Sequence, residues 1–278
     1  MSRTATTVIL GFIDLVNALQ PARQRGKTVA NLMQALEGRG ARVVETARGP
    51  LRFLTSRGRH VAGATDTFFA NEPETLDWID AIKPGEVLWD IGAAFGQFAL
   101  YAGKGGVRVI AFEPKATSYG LLVEHVALNG LGDQITPICL ALSDKNGMTG
   151  LHLSGLAAGE ALNTLVGSKN QFGAVPDGFI QPVYAATMDD APILYGLPAP
   201  DHIKLDVDGI EDWILRGGPK TLKGVKSLII EIEGEMLAQA AQSIDPLLAQ
   251  AGLVEDTAIR QQGSKRNRLF RRQGETLA

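Results

Sequence analysis

The stretch VLWDIGAAFGQFALYAGKGGVRVIAFEP, from Val87 to Pro114, decides the fold. Its two runs VLWDIG and VRVIAF are apolar at consecutive positions, which is typical of strands that helices cover on both faces. The turn after the first strand carries Gly92 and Gly96, and apolar residues at helical spacing follow it. A strand, a glycine turn, a helix and a second strand form one βαβ unit, and a series of such units predicts a parallel sheet.

The rest of the chain continues this alternation. Further strands are predicted at ITPICLAL, HIKLDV and SLIIEIE, and two last strands near 254–259 and 267–271 predict a C-terminal hairpin. A helix carrying Tyr119, Leu122, Val123 and Val126 is predicted to end at a left-handed cap, Asn129-Gly130. We therefore predict an α/β fold with a doubly wound, mostly parallel, seven-stranded Rossmann-like sheet and a C-terminal antiparallel hairpin. Ligands of such sheets bind at the carboxyl ends of the strands.

The chain divides into three regions. Residues 1–70 are predicted to form an appendage of two helices and a hairpin that turns at Gly49-Pro50, and residues 71–278 the main domain. About 59 residues, 143–201, replace the short connection usual between two strands. Because insertions of this length in compact domains tend to be lids or binding loops, we expect this one to cover the substrate.

Composition narrows the class of protein. Hydrophobic residues make up 45% and charged residues 21%, as in globular proteins. The single cysteine, Cys139, cannot form an internal disulfide and suits a reducing, cytoplasmic setting. The longest early apolar run, VILGFIDLVNAL, is interrupted by Asp14 and is too short for a bilayer, so no membrane span or secretion is expected.

The charge is uneven. The net charge of −3 argues against general nucleic-acid binding, yet residues 1–60 hold ten basic and three acidic residues, leaving −10 for the remainder. That basic region is either a docking face for an anionic partner or a solvated surface, and we favour the surface. The C-terminal GSKRNRLFRR contains Leu269 and Phe270, which favours a final edge strand over a nucleic-acid patch. The apolar faces of the first helices suit pairing in a homodimer.

The glycine turn has the pattern Asp90-x-Gly92-x-x-x-Gly96 instead of the G-x-G-x-x-G that binds a pyrophosphate. A carboxylate at Asp90, at the end of the first strand, would repel a pyrophosphate and attract a cation. S-adenosylmethionine carries a sulfonium and an ammonium, and its ribose hydroxyls suit an acid at the end of the second strand, Glu113. Glycine at 92 and 96 would let the backbone approach this ligand closely. The structural alternatives are a turn cap at Asp90 and a turn acid at Glu113.

The sequence from about Glu72-Pro73 to Arg272 resembles the FkbM-type family of S-adenosylmethionine-dependent methyltransferases. The motifs that carry the resemblance are VLWDIGAAFG, VIAFEP, ALNGL, ALSD, ATMDD and, most specifically, HIKLDVDGIEDWILRGGPKTL followed by SLIIEIE. Two positions depart from the family pattern: Ala94 stands where an asparagine is usual, and Asp208 where a glutamate is usual. Both changes affect substrate or activity more than cofactor binding.

The resemblance also implies a set of cofactor contacts. Asp90, Gly92, Ala93 and Gly96 would line the methionine end and Glu113 the ribose, while Ala141 and Leu142 would flank the adenine. Glu72 would either touch the amino-acid part of the cofactor or cap the helix that starts at Pro73.

Methyl transfer to oxygen calls for positioning and a base. Asp206 and Asp208 lie near the carboxyl end of the fourth strand and share a face with Lys204. Asp206 is the first candidate for the methyl-transfer site and Asp208 the second. The structural alternatives are an ion pair with Lys204 and a turn cap at Gly209.

The other candidate groups are weaker. His202 lies at the far end of its strand and His125 is expected on an exposed helix position; His60 falls in the appendage, and only His152, in the insertion, is placed to reach a substrate. Carboxylates of Asp206, Asp208, Glu231 and Asp189 or Asp190 would suit a hard metal ion, but no compact ligand motif supports one. Asp190 more simply caps a helix, and Glu231 pairs with Lys204. No metal is therefore predicted.

The sequence thus predicts an S-adenosylmethionine-dependent O-methyltransferase acting on a sugar, glycan or polyketide-like metabolite. Two alternatives stay open: an NAD-dependent oxidoreductase, whose ribose would also suit Glu113, and a cofactor-binding module without catalysis, suggested by Ala94 and Asp208.

Overall fold

A computed structural model describes residues 3–274 of the chain. The helices are α1 (Arg3–Ala18), α2 (Ala22–Arg39), α3 (Arg59–Asp66), α4 (Pro73–Asp80), α5 (Gln97–Lys104), α6 (Ala116–Leu128), α7 (Ala191–Tyr195), α8 (Glu211–Arg216), α9 (Pro219–Gly224), α10 (Met236–Ser243) and α11 (Asp245–Gln250). The strands are β1 (Ala41–Val44), β2 (Leu51–Leu54), β3 (Val87–Ile91), β4 (Arg108–Phe112), β5 (Ile135–Ile138), β6 (Ala141–Leu142), β7 (Gly147–His152), β8 (Thr164–Leu165), β9 (Ile180–Ala186), β10 (His202–Leu205), β11 (Ser227–Glu231), β12 (Leu253–Glu255) and β13 (Asn267–Arg272).

The main sheet has seven strands in the order β12-β13-β11-β10-β3-β4-β5. From β11 to β5 all neighbours are parallel, and β13 is antiparallel to both β11 and β12. The predicted doubly wound, mostly parallel sheet with a C-terminal hairpin is therefore confirmed. One detail was wrong: β13, which carries the basic GSKRNRLFRR end, lies between two strands instead of at an edge. Its Arg268 is 7% exposed and pairs with Asp245 and Glu255.

The insertion forms a second sheet in the order β6-β9-β7-β8. ITPICLAL was expected to be one strand, but the chain leaves the main sheet after Ile138, and Ala141 and Leu142 pair with β9. The strand therefore ends early because its last two residues gain their hydrogen bonds from the insertion.

The N-terminal region contains the expected hairpin, with Val44 paired to Leu51, and a second helix longer than expected. Helix α3 was not predicted. Leu51 and Phe53 are buried in the same apolar core as α5 and α6, so β2 packs directly on the main domain. The division of the chain into an appendage, residues 1–70, and a main domain, residues 71–278, stays a prediction. Residues 1–2 and 275–278 of these two regions lie outside the described residues. Among residues 3–274, no helix has the length and apolar character needed to cross a membrane.

His125 lies at the junction between the hairpin and the main domain. The expectation that it is exposed was wrong, because its side chain is fully buried. Its Nε2 accepts a hydrogen bond from the backbone N–H of Leu54 at 2.9 Å, and its Nδ1 lies 2.8 Å from the carbonyl of Phe95. Burial lowers the pKa of His125, so the neutral ring acts as a structural link. On the same helix Leu122 and Val126 are buried, whereas Val123 is exposed.

Candidate functional site

A cavity of about 330 Å³ opens at the carboxyl ends of β3, β4, β10 and β11, below the insertion. Of the ten residues predicted to bind the cofactor or to act in catalysis, seven line it: Glu72, Gly92, Glu113, Ala141, Leu142, Asp206 and Asp208. Asp90, Ala93 and Gly96 do not. The described residues therefore place most of the predicted site around one opening, of a size suited to a small molecule.

The two glycines of the first turn have a packing role that was not predicted. Gly92 has φ +85°, and a Cβ there would collide with the backbone carbonyl of Asp206 at the end of β10. Gly96 has φ +91°, and a Cβ there would collide with the side chain of Leu122. Both glycines thus let neighbouring protein segments pack against the turn, and only Gly92 also borders the cavity.

Glu113 holds the same turn in place. Its Oε2 accepts the backbone N–H of Ala94 at 2.8 Å, and its Oε1 accepts that of Lys115 at 2.8 Å. The turn-acid alternative is therefore realised, yet each oxygen keeps a second lone pair and the side chain borders the cavity. Burial raises the pKa of Glu113 to about 7. Ala94, in place of asparagine, has φ +50°, a conformation that asparagine adopts more readily.

Asp90 lies behind the cavity wall. Only 1% of its surface is exposed, and neither carboxylate oxygen has a hydrogen-bond partner among the described residues. Burial raises its pKa to about 6, against the opposing charge of Lys204. Because Asp90 and Lys204 are paired in register on β3 and β10, both side chains project from one face of the sheet.

Lys204 forms an ion pair with Asp206, which was the structural alternative to a catalytic role for Asp206. Its Nζ lies 2.7 Å from Asp206 Oδ2 and 4.8 Å from the centre of the Phe98 ring. Burial alone would lower the pKa of Lys204, but the carboxylates of Asp206, Glu72 and Asp90 outweigh it and raise the pKa. Burial likewise works to raise the pKa of Asp206, yet Lys204 holds it below its usual range. Asp206 is therefore a poor proton acceptor.

Asp208 has the opposite character. Burial, helped by the nearby charge of Asp206, raises its pKa to about 6. Its Oδ2 accepts the backbone N–H of Leu162 at 2.6 Å, and its carbonyl accepts that of Gln171 at 2.8 Å. Its backbone has φ +65°. The insertion is thus tied to this turn at two points, while the carboxylate borders the cavity.

Arg266 was missed by the sequence reasoning. It borders the cavity from the loop before β13, and its guanidinium lies 3.2 Å from Glu231, 3.3 Å from Glu233 and 3.8 Å from Glu72. The expected partner of Glu231 was Lys204, which is wrong, since Lys204 binds Asp206. Burial and the charge of Asp206 raise the pKa of Glu231 to about 10.

Glu72 directly precedes α4, but its side chain makes no capping hydrogen bond to the helix. Its Oε2 accepts hydrogen bonds from the Thr75 hydroxyl at 3.0 Å and from Asn267 Nδ2 at 3.1 Å. The helix-cap alternative is therefore wrong in detail, because the carboxylate is used to join α4 to β13 at the border of the cavity.

The carboxylates considered for a metal fall into two places. Ligand atoms of Asp206, Asp208 and Glu231 lie within 4.8 Å of one another. Asp189 instead accepts the backbone N–H groups of Lys220 and Thr221. Lys204 pairs with Asp206 and Arg266 pairs with Glu231, so two of the three clustered carboxyl groups each have a cationic partner.

Two further expectations concern neighbouring side chains. Asp190 was expected to cap a helix with its side chain. Instead, that side chain accepts hydrogen bonds from Asn146 and Thr187, and it does not cap α7. Within residues 3–274 no histidine borders the cavity: His202 is buried between Ser227 and Glu86, and His152 lies on β7 outside the lining.

The site residues fit the cofactor that the sequence predicts. Glu113 offers free acceptor positions for hydroxyls, Ala141 and Leu142 offer apolar surface, and the surrounding carboxylates outnumber the cations. A sulfonium compound with a ribose suits such a lining, whereas a pyrophosphate does not.

Comparison with known proteins gives matches to methyltransferases. Residues 90–257, more than half of the chain, match the family model of the methyltransferase FkbM domain. The hexuronic acid methyltransferase AglP of Haloferax volcanii is 25% identical over 154 residues, which cover 55% of this chain and 59% of that protein. The chain thus spans less than two thirds of this relative's length.

Two solved structures are similar at low identity. One is the SAM-dependent methyltransferase from Agrobacterium tumefaciens, with a TM-score of 0.42 and 10% identity, covering 85% of this chain and 71% of that one. The other is M. jannaschii TYW2 in complex with AdoMet, with a TM-score of 0.39 and 14% identity, covering 78% of this chain and 75% of that one.

Proposed function

The chain belongs to the methyltransferase FkbM domain family, whose methyl donor is S-adenosylmethionine, and on that premise we propose that it methylates a hydroxyl oxygen of a small molecule or glycan. The observation that carries the proposal is the pair Glu113 and Asp208, which border one cavity and have raised pKa values. The name of the relative AglP supports a sugar as acceptor.

The proposed cofactor end of the cavity lies above β3 and β4. Glu113 accepts the ribose hydroxyls, Ala141 and Leu142 contact the adenine, and Gly92 and Glu72 border the methionine part. Asp90 acts through its charge from behind the wall, since its carboxylate does not reach the cavity surface. Ala93 and Gly96 shape the turn.

We propose Asp208 as the general base and Asp206 as a positioning residue. The bound cofactor supplies a methyl carbon that its sulfonium has already activated. As the acceptor oxygen forms its bond to that carbon, the carbon–sulfur bond breaks and the hydroxyl proton passes to Asp208. The ion pair with Lys204 keeps Asp206 charged and fixed in place.

The insertion, residues 143–201, is proposed to cover the reaction. Gly159 donates its N–H to the hydroxyl of Ser118 at the start of α6, and Leu162 donates to Asp208. The segment between them therefore bridges both sides of the opening. Such a cover excludes water, which would otherwise weaken the electrostatic contacts.

Isothermal titration calorimetry tests the function directly. S-adenosylmethionine and S-adenosylhomocysteine are expected to bind at micromolar concentrations and NAD not to bind. Release of S-adenosylhomocysteine with a panel of hydroxylated acceptors then identifies turnover. Binding of NAD without binding of either sulfur compound would favour the oxidoreductase alternative. Binding of S-adenosylmethionine without turnover on any acceptor would favour the alternative of a non-catalytic cofactor-binding module.

Changing Glu113 to glutamine is expected to weaken S-adenosylmethionine binding about tenfold, because one carboxylate oxygen becomes an amide NH2, which can accept neither its backbone N–H nor a ribose hydroxyl. Calorimetry measures the effect. The matched control is Glu124→Gln, at a surface pair with Arg57 on α6, which should bind as the wild type does. Equal affinity of both variants would remove Glu113 from the cofactor site.

A further inference from the structure

The part of the cavity at the carboxyl ends of β10 and β11 has an unusual charge. It is bordered by five carboxyl side chains, which we call the acidic end: Glu72, Asp206, Asp208, Glu231 and Glu233. Two cations, Lys204 and Arg266, lie beside them. Even with Glu231 protonated, as its raised pKa implies at neutral pH, four carboxylates remain against two cations.

Neither cation is free to receive an anionic ligand. Lys204 is 3% exposed and is held by Asp206 at 2.7 Å. Arg266 uses its Nε toward Glu233, one terminal nitrogen toward Glu231 and the other toward Glu72. A carboxylate or phosphate entering this end would meet three acids around the only cation that borders the cavity among the described residues.

One buried group behind the acidic end adds to the negative charge. Asp90 has no hydrogen-bond partner on either oxygen among the described residues, and it shares a sheet face with Lys204. Glu211, 1% exposed, also leaves its Oε2 without a partner, but burial raises its pKa to about 8, so it is protonated at neutral pH and adds no charge. Asp90 does not border the cavity, so its unpaired carboxylate is an observation separate from the acidic lining, and it indicates a deficit of positive charge there.

The cofactor alone does not supply that charge. S-adenosylmethionine brings an ammonium and a sulfonium but also a carboxylate, so it adds only one net positive charge. At least one negative charge at the acidic end therefore stays unbalanced when the cofactor is bound. A second cationic group would balance it, and the acceptor is the molecule that enters this end.

We propose that the acceptor carries a protonated amine beside the hydroxyl that is methylated, and that Glu233 receives this amine. The inference rests on the proposed function. Glu233 suits the role because it borders the cavity and is partly exposed, and because Gln171 Nε2 at 3.1 Å and Arg266 fix its carboxylate. The acceptor hydroxyl then faces Asp208. The relative AglP is named for an acid, so the two proteins would differ in the charge of their acceptors.

Three sugars of matched shape test the charge preference: glucosamine, glucose and glucuronate. The protein is first saturated with S-adenosylhomocysteine, and calorimetry confirms that complex. Saturation-transfer-difference NMR titrations then compare the three sugars. We expect glucosamine to bind at least about tenfold more tightly than glucuronate, with glucose between them.

The variant Glu233→Gln tests the assigned residue. This variant should bind glucosamine about tenfold more weakly than the wild type, at the level of glucose, because the charged partner of the amine is lost. It should bind glucuronate more tightly, because Arg266 then has two acidic partners instead of three. The matched control is Glu235→Gln, whose side chain does not border the cavity; it should behave as the wild type does.

Four results would overturn the proposal. They are no saturable binding of glucosamine, equal affinity for the three sugars, tighter binding of glucuronate than of glucosamine, or an unchanged preference for glucosamine in Glu233→Gln. Because the S-adenosylhomocysteine complex is verified beforehand, each of these leaves the methyltransferase proposal standing. Failure to form that complex would instead count against the methyltransferase proposal itself.

Discussion

Replacing Asp208 by asparagine is expected to lower kcat by about 10² to 10⁴, the range that a general base contributes. Asparagine has nearly the same shape, accepts the Leu162 N–H through its amide oxygen, and tolerates the positive φ of this position. The turn and the insertion should therefore stay in place while the proton acceptor is lost. Steady-state release of S-adenosylhomocysteine measures the effect.

The pH dependence provides an independent signature of the same residue. The basic form of Asp208 exists above its pKa of about 6 and is lost as the pH falls through that value. With S-adenosylmethionine saturating, so that protonation of Glu113 near pH 7 does not limit cofactor binding, the wild-type kcat/KM for the acceptor should fall below about pH 6. This step should be absent from the residual activity of Asp208→Asn.

The variant should not be less stable. A carboxyl whose pKa is raised by folding favours the folded state at low pH, and that contribution is lost as the pH rises from its unfolded pKa to about 6. Removing the charge should thus preserve or increase stability at pH 7 to 8, as measured in urea. The control is Asp212→Asn, at a surface pair with Arg216. If Asp208→Asn kept more than a tenth of the wild-type kcat, Asp208 would not be the base.

Replacing Gly92 by alanine is expected to destabilise the protein by about 3 kcal/mol or more and to abolish cofactor binding. A left-handed conformation costs a non-glycine residue about 1 to 2 kcal/mol. The added Cβ would also collide with the backbone carbonyl of Asp206, so β10 and the turn would have to separate, at about 1 to 3 kcal/mol for overpacking. Urea denaturation and calorimetry with S-adenosylmethionine measure the two effects.

Gly130→Ala separates the two causes. Gly130 has a similar positive φ of +64°, but no atom lies within 4 Å of the position its Cβ would take. This variant should lose only the conformational part, about 1 to 2 kcal/mol, and should bind the cofactor normally. Equal destabilisation of the two variants would mean that the approach of Asp206 to Gly92 contributes nothing.

Features that depend on neighbouring residues in the chain were predictable. The apolar runs at β3 and β4 and the left-handed cap at Gly130 are all confirmed, because periodicity and turn chemistry report local conformation. The spacing of the fourth strand placed Asp206 and Asp208 at its carboxyl end, and both border the cavity. Their ranking was not readable from sequence, because it depends on which of the two carboxylates Lys204 reaches.

Features that depend on contacts between distant segments were missed. His125 was expected outside because its place in the helical pattern does not reveal that β2 covers it. Arg266 was overlooked because its position beside Glu231 follows from the antiparallel pairing of β11 and β13. The second sheet was interpreted as a covering loop, since its short strands pair with one another and, through β9, with β6, and not with the main sheet.

The sequence by itself determined the wound sheet, the glycine turn and the edge where acids collect, since each follows from local periodicity and residue type. Only the tertiary structure decided which carboxylates are neutralised, which of them have raised pKa values, and how the cavity is charged. These properties depend on burial and on distances of a few ångströms between groups far apart in the chain, and Coulomb interactions change steeply with both.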